Sequence, residues 1–143
     1  MSSAVLRLRA TAEIVLEVSG LAVELQLDDR LKEVSLGSWD GLTDEDIEHV
    51  SPGACDGSTH FDWFFRSPDG ESFDEAQARL SQWLAEVDAG DECHIAVSHG
   101  LSGRILRGSY LGLSKRDTLR LDVPQDGMFV LENGRCDFVS ARP

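Results

Sequence analysis

Cysteine is scarce in this chain. Cys55, Cys93 and Cys136 are odd in number and far apart, so they supply neither a disulfide framework nor a CxxC metal or redox pair, and free thiols in a reducing cytoplasm are the expectation. Long apolar runs are lacking as well. Glu13 and Glu17 interrupt the N-terminal stretch MSSAVLRLRATAEIVLEV, which excludes a signal peptide there and leaves a cytoplasmic protein without membrane partners as the reading. Basic residues are few: 13 Lys and Arg face 26 Asp and Glu, a net charge of −13. That balance opposes the basic surface a nucleic-acid partner requires. The deficit is uneven, because residues 21–92 hold 4 basic and 19 acidic residues whereas residues 93–143 hold 7 and 5. An anionic ligand is therefore expected to meet the C-terminal third or isolated arginines.

What is present describes one globular domain over 1–143. The length of 143 residues and the hydrophobic fraction of 41% suit a single core, and a chain of this size buries roughly 70% of its unfolded surface without a staple. Ser3 is a candidate cap for a first helix, in which Val5, Leu8, Ala12, Val15 and Leu16 recur at helical steps until Gly20. A short strand is expected around residues 22–27, then an irregular stretch over 29–41. Thr43 and Asp46 form a weak capping box for a helix reaching Val50. Residues 51–70 read as a loop with a buried aromatic foot made of Phe61, Trp63, Phe64 and Phe65. Ser72 and Glu75 make a stronger capping box, and Phe73, Ala76, Leu80, Trp83, Leu84 and Val87 form a helical stripe running to Gly90.

HIAVS at 94–98 has the character of a strand buried on both faces, and it leads into Gly100 and a helix over 101–111. Helix, strand, turn and helix in this order point to an α/β fold with parallel strands. TLRLDV, GMFVLENG and RCDFVS read as three further strands, with Asn133-Gly134 a hairpin turn between the last two.

Ligands of open α/β sheets gather beyond the strand ends, where the next helix turns its N–H groups outward. His99 stands at that place, followed by a bare glycine; a structural histidine and a catalytic one are equally compatible with position alone. Ser102 raises a remote alternative, a serine hydrolase, but Arg104 occupies the final glycine of the GxSxG elbow. Arg7, with Thr11 one turn along the same helix face, is either a solubilising residue or an anion clamp. Glu33 sits among Leu31, Val34 and Leu36, where burial would suit a general acid; otherwise it is one more solvated carboxylate. Glu71 precedes the Ser72 cap, where a carboxylate favours the helix start whatever else it does.

These residues fall in four motifs. Ser3-Ala4-Val5-Leu6-Arg7 with Ala10-Thr11-Ala12-Glu13-Ile14 resembles the SPLxRAxxTAEI helix of the histidine phosphatase superfamily, the phosphoglycerate mutase-like proteins. LKEVSLGSWDGLT at 31–43 is similar to that family's LxExxxGxWEGLT, PDGES at 68–72 to its PGGES, and VSHG with Arg104 to its VSHGxxxR. The resemblance implies a three-layer α/β/α sandwich with a mostly parallel sheet and phosphoryl transfer through a phosphohistidine. It implies that Arg7 clamps the phosphoryl oxygens, that Glu33 donates and accepts the proton, and that His99 stabilises the transferring group. Glu71 and Arg104 match supporting positions. A phosphatase acting on a small phosphorylated metabolite fits better than a mutase, since no extra segment suits a bisphosphorylated substrate. Neither cofactor nor metal is implied, and inorganic phosphate is the simplest partner.

One motif of the family is missing. None of His49, His60, His94 and His99 follows an arginine, whereas the family's nucleophile lies in an Arg-His-Gly that ends a central strand. A start codon assigned too late, a fragment, or a diverged non-catalytic phosphoanion-binding module would each account for this, and the retained Arg7, Glu33 and His99 favour the first. Without that strand the 94–98 edge is expected to be open and to promote homo-oligomers.

Overall fold

The computed structural model describes residues 3–90 and 92–141. Among them lie five helices, α1 (Ser3–Ser19), α2 (Asp44–Val50), α3 (Phe73–Asp88), α4 (Gly100–Tyr110) and α5 (Lys115–Thr118), and one antiparallel pair, β1 (Gly127–Glu132) and β2 (Arg135–Ser140). The capping boxes form as the sequence predicts. The Thr43 hydroxyl accepts from the Asp46 N–H and the Ser72 hydroxyl from the Glu75 N–H, with the acidic side chains bonding back to the cap residues.

The core lies between α3 and α4. Phe73, Ala76 and Leu80 from α3 pack with Leu101, Ile105 and Leu106 from α4, joined by Val34 and Leu119. Trp83, Phe64 and Phe65 line its margin, so the aromatic foot of the 51–70 loop is built much as its composition suggests. Phe61 alone of that cluster is exposed. Among the described side chains of α1 only Ala12 is buried; Val15 of the expected stripe and its neighbours Ile14 and Val18 are exposed. The expected Ser3 cap and Val5 contact lie outside the described side chains.

The sheet is smaller than the sequence predicts and is not a parallel one. Residues 21–28 and 93–99 form no ladder, and Leu21, Val23, Leu25, Leu27 and Ile95 are exposed, Ile95 by 62%. A strand is stabilised by its neighbours' hydrogen bonds and by layers packed on its faces. No described segment supplies either to 94–98, so its apolar pattern is present without the burial it anticipates. TLRLDV is no strand either: Ser114 caps α5 by accepting from the Asp117 N–H, and Thr118 and Leu119 are buried at its end.

The hairpin forms as expected. Asn133 and Gly134 have φ of 50° and 73°, the left-handed pair a two-residue hairpin turn needs. Arg107 seats the hairpin on α4, with its guanidinium 3.7 Å from the Phe129 ring centre and a 2.6 Å hydrogen bond to the Asp122 carbonyl. Cys136 lies beside it, and burial pushes its thiol above the ordinary range. That leaves it protonated and unreactive.

Candidate active site

The 31–43 and 68–72 motifs lie against each other. The Glu71 N–H donates to the Ser35 carbonyl at 2.8 Å, the Ser67 hydroxyl to the Leu36 carbonyl at 2.6 Å, and the Asp69 carboxylate accepts from the Ser38 N–H and hydroxyl at 3.0 and 2.7 Å. Gly37 makes this approach possible, with φ of 57° and Asp69 so close that any Cβ would collide with it. Trp39, 1% exposed, anchors the next turn.

From this base Glu33 reaches the start of α4. Its carboxylate accepts from the Ser102 N–H at 2.9 Å, the Leu101 N–H at 3.3 Å and its neighbour Val34 N–H at 3.0 Å. A helix start presents unpaired N–H groups and partial positive charge. The residue at the cap position is His99, whose own side chain makes no capping bond. Glu33 thus caps α4 from 68 and 69 residues away in sequence, and the His99 side chain makes no capping bond of its own.

That imidazole is poised as a neutral group. Burial pushes its pKa below the ordinary histidine range and Arg7 pushes in the same direction, while Glu33 opposes both. Glu33 meets the α4 start through the Leu101 and Ser102 N–H groups that follow His99 in the chain. The His99 Nε2 is buried without a hydrogen-bond partner; such a nitrogen is available to a ligand oxygen. Arg7 is exposed on α1, with its backbone carbonyl accepting from Thr11 Oγ1 at 3.0 Å.

The two supporting candidates have structural partners. Glu71 is held by Arg79 in a two-pronged ion pair in which each side chain is 14% exposed. Arg79 also donates to the Arg30 carbonyl. Arg104 donates to the Leu119 carbonyl at 3.0 Å and keeps a buried, unpartnered Nε. Ser102, the alternative nucleophile, is fully buried, with its hydroxyl 2.6 Å from the Lys32 carbonyl. Arg79 is absent from the sequence analysis, and Ser98 enters it only inside the VSHG motif without a role of its own. Glu71 lies before the first turn of α3, so helical spacing gives no signal for the former. Ser98, bonded to the Leu31 carbonyl at 2.9 Å, offers none. No group of three or more His, Cys, Asp or Glu side chains among the described residues is arranged to hold a metal ion.

The family described as the histidine phosphatase superfamily (branch 1) matches residues 1–142. Among curated proteins, the chain is 26% identical over 107 residues to a probable 6-phosphofructo-2-kinase of Schizosaccharomyces pombe, covering 73% of this chain and 18% of that protein. It is 28% identical over 104 residues to 6-phosphofructo-2-kinase 1 of Saccharomyces cerevisiae, covering 71% of this chain and 13% of that protein. The chain therefore spans less than a fifth of the length of these relatives. No solved structure matches it.

Proposed function

This chain belongs to the histidine phosphatase superfamily, and from that premise we propose that it carries the receiving half of a phosphomonoester hydrolase site. The observation that carries the proposal is a partly buried His99 with an unpartnered Nε2 at the α4 N-terminus that Glu33 caps; Arg7 is the cation that the family's first motif supplies to it. His99 donates to a phosphoryl oxygen and Arg7 neutralises it, stabilisation that grows as charge develops in the transition state. In this reading the attacking imidazole is the one the family carries in Arg-His-Gly, a motif these 143 residues lack. Its nitrogen forms a bond to phosphorus as the ester P–O bond breaks, and Glu33 gives its proton to the leaving oxygen. Water then attacks phosphorus, the N–P bond breaks, and the Glu33 carboxylate takes the water's proton. The matched relatives are named for acting on a phosphorylated fructose, which supports a phosphosugar or another small phosphorylated metabolite as the substrate class.

The absence of Arg-His-Gly from the sequence favours a second reading, a phosphoanion-binding module without turnover. Calorimetry with inorganic phosphate and vanadate on the 143-residue chain tests what both readings share. Binding is expected, with a loss of about tenfold or more in Arg7→Ala and His99→Ala, the scale of one charge-assisted hydrogen bond. Binding unaffected by both substitutions contradicts the site. Turnover of p-nitrophenyl phosphate once an Arg-His-Gly strand is supplied separates the enzyme from the module.

A further inference from the structure

Three consecutive carbonyls leading into Glu33 are each bonded by a side chain from a distant part of the chain. Arg79 donates to the Arg30 carbonyl, Ser98 to the Leu31 carbonyl at 2.9 Å, and Ser102 to the Lys32 carbonyl at 2.6 Å. Serines near a helix start commonly bond within their own turn; Ser102 instead reaches a residue 70 positions away. We propose that Ser102 is a positioning residue for Glu33, its hydroxyl anchoring the peptide that carries the carboxylate and its N–H fixing the carboxylate beside His99. This rests on Glu33 being the acid–base group of the proposed reaction.

The chemistry of a hydroxyl suits that task. It has one proton to give and two lone pairs. The Ser102 Oγ is 2.6 Å from the Lys32 carbonyl and 3.1 Å from Glu33 Oε1, and the Ser102 N–H is 2.9 Å from the same Oε1. When Glu33 is charged, the Ser102 N–H holds Oε1 while the hydroxyl proton stays on the Lys32 carbonyl. When Glu33 carries a proton, the hydroxyl accepts a hydrogen bond from it and still donates to Lys32. Glu33 is thereby held through both protonation states that an acid–base group must visit. Complete burial of Ser102 excludes water as a substitute for either bond.

The test is an NMR titration of the His99 ring in the 143-residue chain, which needs no turnover. The charged groups acting on that ring are Glu33, which raises its midpoint, and Arg7, which lowers it. Glu33→Gln is expected to lower the midpoint. Ser102→Ala should lower it in the same direction by a smaller amount, and the double variant should fall no further than Glu33→Gln alone, as expected for residues acting through one another. Ser102→Cys keeps the volume and weakens the donor, so it should also lower the midpoint, and it serves if the alanine variant does not fold. A midpoint unmoved in Ser102→Ala and Ser102→Cys, or additive falls in the double variant, overturns the assignment. Failure of phosphate to bind would count against the function alone, since the titration does not depend on it.

Discussion

His99 is the residue on which most of the proposed chemistry turns, and its environment has a measurable consequence for stability. Burial lowers its pKa in the folded chain, so the unfolded chain binds the proton more readily. Stability is then full above the unfolded value of about 6.5 and is lost as pH falls toward the depressed folded value. Denaturant melts at pH 7.5 and 5.0 are expected to show that loss in the wild type and a smaller one in His99→Asn. Equal losses would place the effect elsewhere. At the same scale, Arg79→Ala leaves Glu71 charged and 14% exposed without its partner. A cost of about 3 kcal/mol is expected in chemical denaturation, against about 0.5 kcal/mol or less for Arg9→Ala, whose pair with Glu13 is half exposed. Glu71 and Arg79 therefore act on the site by bracketing residues 30–35, and a sequence that places an acid before a helix cap does not reveal which cation will claim it.

Elements that rest on local chemistry were legible; those that rest on partners were not. The Ser72–Glu75 and Thr43–Asp46 boxes and the Asn133-Gly134 turn are written in a few adjacent residues, and each forms where expected. The α3 stripe follows from its spacing, and Leu80 at its centre is fully buried. Leu80→Ala is expected to cost about 2–5 kcal/mol in a denaturant melt; a cost below about 1 kcal/mol would mean that the α3–α4 core is not the main one. The 22–27 and 94–98 segments carry strand patterns, yet a pattern records only which face seeks cover, and no described neighbour provides it. The Glu33 cap on α4 is legible in a different way. The motifs around Glu33 and His99 mark both residues as important, but only the fold shows that the carboxylate bonds the helix N–H groups rather than standing in solvent.

Among the described residues, apolar side chains are uncovered on α1 and the two unpaired segments, where Ile14, Val18, Leu21, Val23, Leu27 and Ile95 are each more than 45% exposed, and also at Val50 of α2 and at Met128 and Val139 of the hairpin. Unpaired backbone and exposed apolar side chains favour association, while a net charge of −13 opposes it and is screened by salt. The chain is expected to be monomeric in part at low ionic strength and to associate as salt rises, as read by light scattering. A sharp monomer at every salt concentration would show that these surfaces are covered in solution.

In the proposed reaction Glu33 moves the proton and His99 stabilises the transferring phosphoryl group. The direct measurement supplies an Arg-His-Gly strand ahead of the chain and compares hydrolysis of p-nitrophenyl phosphate with that of an alkyl phosphate. Glu33→Gln should slow the alkyl ester by about 10²–10⁴-fold, the range for a general acid, and the nitrophenyl ester far less, because p-nitrophenolate leaves without needing a proton. His99→Ala should slow both, since charge develops on the phosphoryl oxygens whatever leaves. Equal losses on the two esters in Glu33→Gln would contradict the account, leaving Glu33 as the cap of α4 and no more.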